Sequence, residues 1–510
     1  MYVRLAVLLG VVGVLLLSGG ETGAAPGITR RVSVDSAAGE ADGPSEYPAI
    51  SGDGHYVAFH SAATNLVPFD TNGCQDVFVH DRMTGVTERV SVSSAGAQGT
   101  SDSASPAIDS DGRYVAFQSF ANNLVSGDTA LCGNPPTTYS CPDIFVRDRQ
   151  TSTTERVSLS STEVQANDES WSAAISSDGR YVVFYSKATN LVSGDTNGVE
   201  DVFVRDRQAG TTIRVSLSSS GAQANGASDG WMAISSDGRY VAFTSDASNL
   251  VTSDTNGFAD VFVRDRDTDQ DGIFDEIGSV STSRVSVSSG GAQGNNESYY
   301  AAVSGDGRFV AFGSIATNLV TGDSNGNSDV FVRDRQAGTT TRVSLGSAGT
   351  QGNGGSFAPA IGDGRFVAFQ SQASNLVTGD ANGFADVFDR DRDTEEDGIF
   401  DEAGAVSTTR VSVDSVGGEG DAESLDPSIS GDGRFVAFES LASNLVPVDT
   451  NGSSDIFLHD QLGSVGGIAE LPHVSGPTAP NYVPLAGLAT VALALVAAGG
   501  WRAGRRFKRR

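Results

Sequence analysis

Lysine is almost missing from this chain: two of 510 residues, Lys187 and Lys508, against 63 aspartates and glutamates. Arginine is common, so the shortage reads as a compositional bias and not as a mechanism. The formal net charge of −30 leaves no basic surface of the kind that phosphate backbones require, which excludes nucleic acid as a partner. Histidine is scarce, with five copies, and cysteine scarcer, with three. Helical periodicity is missing from the middle of the chain, which excludes a helical architecture there. No stretch reads as a second domain able to carry the partners of a hydrolase triad. Long apolar runs occur only at the two ends.

At the start, Arg4 precedes the run LAVLLGVVGVLLL, and the small residues SGGETGAA follow. Residues 1–25 are therefore expected to be a secretory signal, cleaved near Ala24 or Ala25, with an uncleaved anchor as the alternative. Export implies an oxidising compartment. Cys132 and Cys141 bracket an insertion containing Pro135 and Pro136 and are expected to form a local disulfide, leaving Cys74 as an inert thiol. Near the other end, residues 481–501 carry no charge and are long enough to cross a bilayer. The basic run RAGRRFKRR occupies 502–510. The expectation is a single-pass transmembrane helix with a cytoplasmic stub, joined by a linker over 462–480, and the acidic portion outside, at the cell surface or in the periplasm. The sequence LPHVSG at 471–476 departs from L-P-x-T-G at its fourth and fifth positions, so a processed sorting tail is not expected.

Between the ends the chain repeats itself. SGDGHYVAF, DSDGRYVAF, SSDGRYVVF, SSDGRYVAF, SGDGRFVAF, IGDGRFVAF and SGDGRFVAF place a glycine at Gly54, Gly112, Gly179, Gly238, Gly307, Gly364 and Gly433. Self-similarity at this period outranks any local assignment. Each unit predicts four short strands. A first strand such as PAIS meets an Asp-Gly turn, then R-Y-V-A-F, apolar enough to be buried on both faces. D-V-F-V-R-D-R is the third strand, and R-V-S-V or R-V-S-L, with one face wet, is the fourth. Four antiparallel strands repeated radially make a β-propeller blade. The seventh unit stops after DIFLHDQ, and its missing fourth strand is supplied by Thr29–Val34, which would pair beside Asp455–Asp460 and cover an exposed edge. The fold class is all-β: a seven-bladed propeller over 28–461, closed by its N-terminal strand.

The S-x-D-G-R-[YF]-V-A-F units followed by D-V-F-V-R-D resemble the WD-like propeller repeats of the TolB group, over roughly residues 28–461. The resemblance implies the propeller fold. The chain departs from that group in its seven blades, where six are usual, and in lacking a separate N-terminal domain.

The histidines are His55, His60, His80, His459 and His473. His80 and His459 recur at one repeat position in adjoining blades, which would suit a transition metal, yet His55 and His80 also stand where other units have arginine. Aspartates are spread evenly among the blades, whereas a catalytic pair should break the symmetry. The loops S-G-D-T-N-G-x-x-D and S-S-x-G-A-Q-x-N emerge on one rim, a polar acidic surface suited to a protein or carbohydrate ligand. The reading is a binding module anchored at the membrane. The alternatives are a propeller hydrolase or lyase acting on an extracellular polymer, and a structural spacer.

Calcium is the expected cofactor. In D-T-D-Q-D-G-I-F-D, Asp267, Asp269, Asp271 and Asp275 stand at positions 1, 3, 5 and 9, with the carbonyl of Ile273 as a further ligand. The loop resembles the D-x-D-x-D-G-x-x-D loops of integrin-type propellers and, less fully, EF-hand loops, with Gly278 in place of the last glutamate. Asp393, Glu395, Asp397, Ile399 and Asp401 form a second copy. Weaker candidates are Asp195, Asn197 and Asp201; Asp254, Asn256 and Asp260; and Asp323, Asn325 and Asp329, where an Asx turn serves nearly as well.

Overall fold

The computed structural model describes residues 27–133 and 138–462. The proposed signal, most of the linker, the transmembrane helix and the stub lie outside those residues. Among the described residues no helix is long and apolar enough to cross a membrane.

Seven four-stranded antiparallel sheets follow one another. The first blade runs from an inner strand, Ser45–Ile50, through Tyr56–Ser61 and Asp76–Asp81 to an outer strand, Val86–Arg89. Each inner strand packs on the next, and Ser424–Ile429 packs on Ser45–Ile50, so the ring is closed. The seventh blade takes its outer strand, Ile28–Arg31, from the N-terminus, with Ile28 opposite Asp460 and Arg31 opposite Phe457. This is the closure expected from the permuted fourth strand.

The second and third strands of each blade are covered on both faces by the neighbouring blades, and Val57, Ala58, Phe59, Val77, Phe78 and Val79 are fully buried. Phe59 and Phe78 face each other across the ladder with ring centroids 6.0 Å apart, and all seven blades repeat the pair. The Asp-Gly turn keeps glycine for two reasons. Its φ is +72° at Gly112, and a Cβ there would collide with the Tyr56 ring of the preceding blade. The second Arg of R-D-R links blades at the same place. Arg149 Nη1 donates to the carbonyl of Gly112 and its guanidinium lies over Tyr56 at 4.4 Å.

The outer strand sits three residues upstream of the expected R-V-S-V. It is T-x-x-R, as in Thr153–Arg156, Thr211–Arg214 and Thr339–Arg342. Val90 still donates to the carbonyl of Val77, but Val92 then donates to that of Val90, a three-residue turn around Ser91 just past the strand's end at Arg89. Ser91 Oγ satisfies Asp76 instead of continuing the ladder. Cys132 and Cys141 are disulfide-bonded in an insertion carrying a two-stranded ribbon, Leu131–Cys132 with Tyr139–Ser140.

Candidate functional site in the axial mouth

Every inner strand slips register once, near its start. The residue at the slip has left-handed φ in all seven blades: Tyr47 (+52°), Ser105 (+49°), Ser172 (+46°), Gly230 (+77°), Tyr300 (+57°), Ala358 (+46°) and Asp426 (+47°). Six of these are not glycine, and each costs roughly 1–3 kcal/mol of backbone strain. Bulges of this kind re-aim side chains, and here they line one mouth of the central channel.

A second ring comes from the fifth residue of the second strand. There the repeat reads V-A-F-x-S, and x is His60, Gln118, Tyr185, Thr244, Gly313, Gln370 and Glu439. In four blades this side chain accepts the N–H of the next blade's bulged residue. Tyr47 N–H donates to Glu439 Oε2 (3.1 Å), Ser105 to His60 Nδ1 (3.3 Å), Ser172 to Gln118 Oε1 (3.1 Å) and Asp426 to Gln370 Oε1 (2.8 Å). Around a variable position the flanking residues barely change, so the asymmetry of the ring is concentrated at the axis.

The seven bulged residues and their neighbours, with Tyr185 of the second ring, line a cavity of about 340 Å³. Tyr47 stacks on Trp231 with centroids 5.9 Å apart, joining the first and fourth blades. His60 also stacks with Tyr47 (5.2 Å), and Tyr300 packs on Trp231 (5.9 Å). Tyr47 is 37% exposed and Trp231 46%, so an aromatic platform stays open to solvent. Beside it lie three acids. Burial and the neighbouring carboxyl groups push Glu439 up to about 7 and Asp426 up to about 6. Glu46 is instead held down by its hydrogen bond with His60, 3.4 Å away. At the other end of the inner strands a cavity of about 520 Å³ is lined by serine, glycine, aspartate and aliphatic residues in near sevenfold repetition. Only the first mouth is chemically distinctive.

No protein family matches the chain, and neither does any curated protein. Several solved structures do. TolB from Acinetobacter baumannii is 16% identical over 59% of this chain and 54% of that one, with a TM-score of 0.33. The β-propeller domain of the Trilobed protease from Pyrococcus furiosus is 10% identical over 82% of this chain and 95% of its own, at 0.45. Oligogalacturonate lyase from Vibrio parahaemolyticus is 12% identical over 86% and 98%, at 0.44. The chain spans about half the length of the TolB it matches. The likeness is to the propeller fold.

The acids of the rim loops face arginines. Asp195 and Asp201 clasp Arg214 Nη1 at 3.1 and 2.9 Å, while Asn197 donates to Asp201. Asp254 and Asp260 hold Arg284, both at 3.0 Å, with Asn256 on Asp260. Asp323 and Asp329 hold Arg342, with Asn325 on Asp329. In each case the carboxylates converge on the arginine that ends the outer strand. Glu40, Asp449 and Asp455 likewise surround Arg31. Ser324 stands in Gly322–Gly326, which has the spacing of a nucleophile elbow, but the run joins two strands and the hydroxyl donates to Gln351.

The first inserted loop brings one carboxylate oxygen each of Asp267, Asp269 and Asp271 within 4.8 Å of one another. Asp267 is buried and accepts the N–H groups of Asp271 and Gly272. Asp269 accepts Ser279 Oγ, and Asp271 accepts the N–H of Ile273. Asp275 turns away to Arg266, at 2.7 Å. In the second loop Asp393 and Asp397 cap the turn through Gly398 and Ile399, and Asp401 pairs with Arg392 at 2.6 Å. Glu395 joins no group of three ligands among the described residues. The ninth position is thus a counter-charge. Arg149 and Arg207 find Glu88 and Glu155 on the preceding outer strand. Arg266 and Arg392 meet Ile213 and Thr341 at that register and take their acid from the insertion.

His80 and His459 are buried against the hydroxyls of Thr87 and Thr29, each at 2.9 Å. Arg147 makes the equivalent contact with Thr154 in the second blade. These histidines replace arginine as packing donors. The axial site was not among the sequence expectations; its signal in the sequence is a single variable letter inside V-A-F-x-S.

Proposed function

We propose that this chain is an exported, membrane-anchored β-propeller that binds its ligand, a protein or carbohydrate, at the axial mouth without transforming it. The observation that carries this reading is the concentration of exposed aromatic and acidic groups in one mouth of an otherwise repetitive ring. The Cys132–Cys141 disulfide supports export, since such bonds persist in oxidising compartments. The His–Thr pairs are buried, with both hydroxyls donating to backbone carbonyls, which supports a non-catalytic reading. The expected result is that the Trp231→Ala ectodomain loses at least tenfold in affinity for whatever glycan or surface protein the wild type captures, with its melting temperature unchanged. Equal capture by both would remove the mouth from consideration.

A lyase or hydrolase is the second reading. Burial raises both carboxyls, with the charge of Asp426 adding to it at Glu439 and that of Glu46 at Asp426, to about 7 and about 6, the range that suits proton transfer. Turnover of an extracellular polymer that Glu439→Gln abolishes would establish it.

Calcium belongs to the proposal at Asp267, Asp269 and Asp271. Three carboxylates fit a hard cation, while the lost ninth ligand implies weak affinity. Calorimetry should give a calcium heat and a chelator-dependent melting shift, both absent in Asp267→Ala plus Asp271→Ala. No heat in the wild type would leave the loop as a counter-charge for Arg266 alone.

A further inference from the structure

We propose that the axial mouth takes an organic cation, an alkylammonium or guanidinium group, with Tyr47, Trp231 and Tyr300 as its platform and Glu46, Asp426 and Glu439 as its counter-charges. This rests on the reading of the mouth as the binding site. In the rim loops the clustered acids enclose an arginine, as at Arg214, Arg284 and Arg342. At the mouth no arginine or lysine forms an ion pair with the three acids among the described residues, and His60 reaches Glu46 alone. Ionised carboxylates accept hydrogen bonds and donate none, so the site asks for a donor that carries charge. A compact metal ion is a poor match, because these three acids form no group of converging ligand atoms. Exposed aromatic faces beside dispersed carboxylates suit a large, weakly hydrated cation instead.

A second observation points the same way. The cavity continues past Trp231 into a space of about 390 Å³ lined by Asp229, Gly230, Trp231, Thr244, Tyr299 and Tyr300. Thr244 Oγ1 is buried there without a hydrogen-bond partner. Its counterparts Gln118, Gln370 and Glu439 each hold the next blade's bulged N–H, and a buried unpaired hydroxyl is costly. A ligand chain lying beyond the cationic head would meet it, with the acid of Asp229 beside it.

The test follows Trp231 fluorescence in the full chain, with Trp231→Phe as the blank. The probes are a short peptide whose one charged group is a lysine, the same peptide with norleucine, and spermidine. The expected result is saturable quenching by the lysine peptide, at least about tenfold weaker for norleucine, since one ion pair near an aromatic face is worth roughly 1–2 kcal/mol. Asp426→Asn plus Glu439→Gln, which preserves shape, should lose a further tenfold or so. Affinity should rise between pH 5 and 8 as Asp426 and Glu439 ionise among Glu46, Tyr47, His60 and Tyr300. Saturation by spermidine as well would point to free polyamines, and by the peptide alone to a basic side chain of a protein; both support the proposal. Equal binding of norleucine, or indifference to the double variant, overturns it. If a neutral oligosaccharide instead bound the wild type and not Trp231→Ala, the mouth would stand as the site and the cation would fall. Indifference of every ligand to Trp231→Ala would remove both.

Discussion

Removing residues 28–36 is expected to cost most or all of the stability of the ring. That segment contributes Val32, 3% exposed in the core between the seventh and first blades. It also carries Arg31 and Ser33, which satisfy the fully buried Asp455. Burial of Val32 and Val34 is worth roughly 1.5–3 kcal/mol each, and stripping a buried carboxylate of its partners costs about 3–5 kcal/mol. The sum approaches the whole stability of an ordinary domain. Thermal unfolding should show a melting temperature lower by ten degrees or more on the order expected from these energies, or no cooperative transition. Adding a peptide of residues 27–36 should restore part of it by strand addition at Asp455–Asp460. Normal melting of the truncated chain would mean that the ring is held by its blade interfaces alone.

The opposite effect is expected from Asp389→Val. Asp389 stands where five other blades have valine and the seventh has leucine, at 2% exposure, with Oδ1 unpaired. Burial raises its carboxyl from 3.8 to about 7, opposed in part by Gln461. The sign follows from the raised value. Below the unfolded value of 3.8 the group is neutral in both states and costs no ionisation. As the pH climbs from there to about 7, the unfolded chain ionises first and stability is lost. A shift of this size corresponds to on the order of 4 kcal/mol at pH 8. The variant should therefore melt several degrees higher at pH 8, with the gain narrowing towards pH 4. A gain independent of pH would instead assign the effect to apolar packing.

The repeat was legible because each of its letters answers a local demand. Asp-Gly marks a turn whose glycine has positive φ, and Y-V-A-F marks a strand covered on both sides, so blade number and closure could be counted. What escaped required contacts far apart in sequence. D-T-N-G-x-x-D has the spacing of a cation loop, but its carboxylates face an arginine at the end of the next strand, as Asp195 and Asp201 face Arg214. Asp275 looks like a ninth ligand until Ile213 is seen beside Arg266, leaving that guanidinium without an acid on its neighbour. The bulge at Tyr47 carries no local signal at all, since tyrosine gains nothing from left-handed φ. It is paid for by tertiary structure, through the N–H that Glu439 accepts from the other side of the closure.

The closing strand also sets an order of events. Thr29 and His459 touch at a separation of 430 positions in the chain, so among the described residues the first strand to leave the ribosome pairs with the last. Contacts so distant in sequence slow folding, because chain entropy is lost long before they form. Until the seventh blade emerges, the flank of the first blade that Phe435 and Leu458 will cover must wait exposed. Six blades made in succession would present an unpaired apolar side at each end, a species prone to aggregation. The cell therefore has reason to keep this chain unfolded, or shielded by a chaperone, until its synthesis is complete.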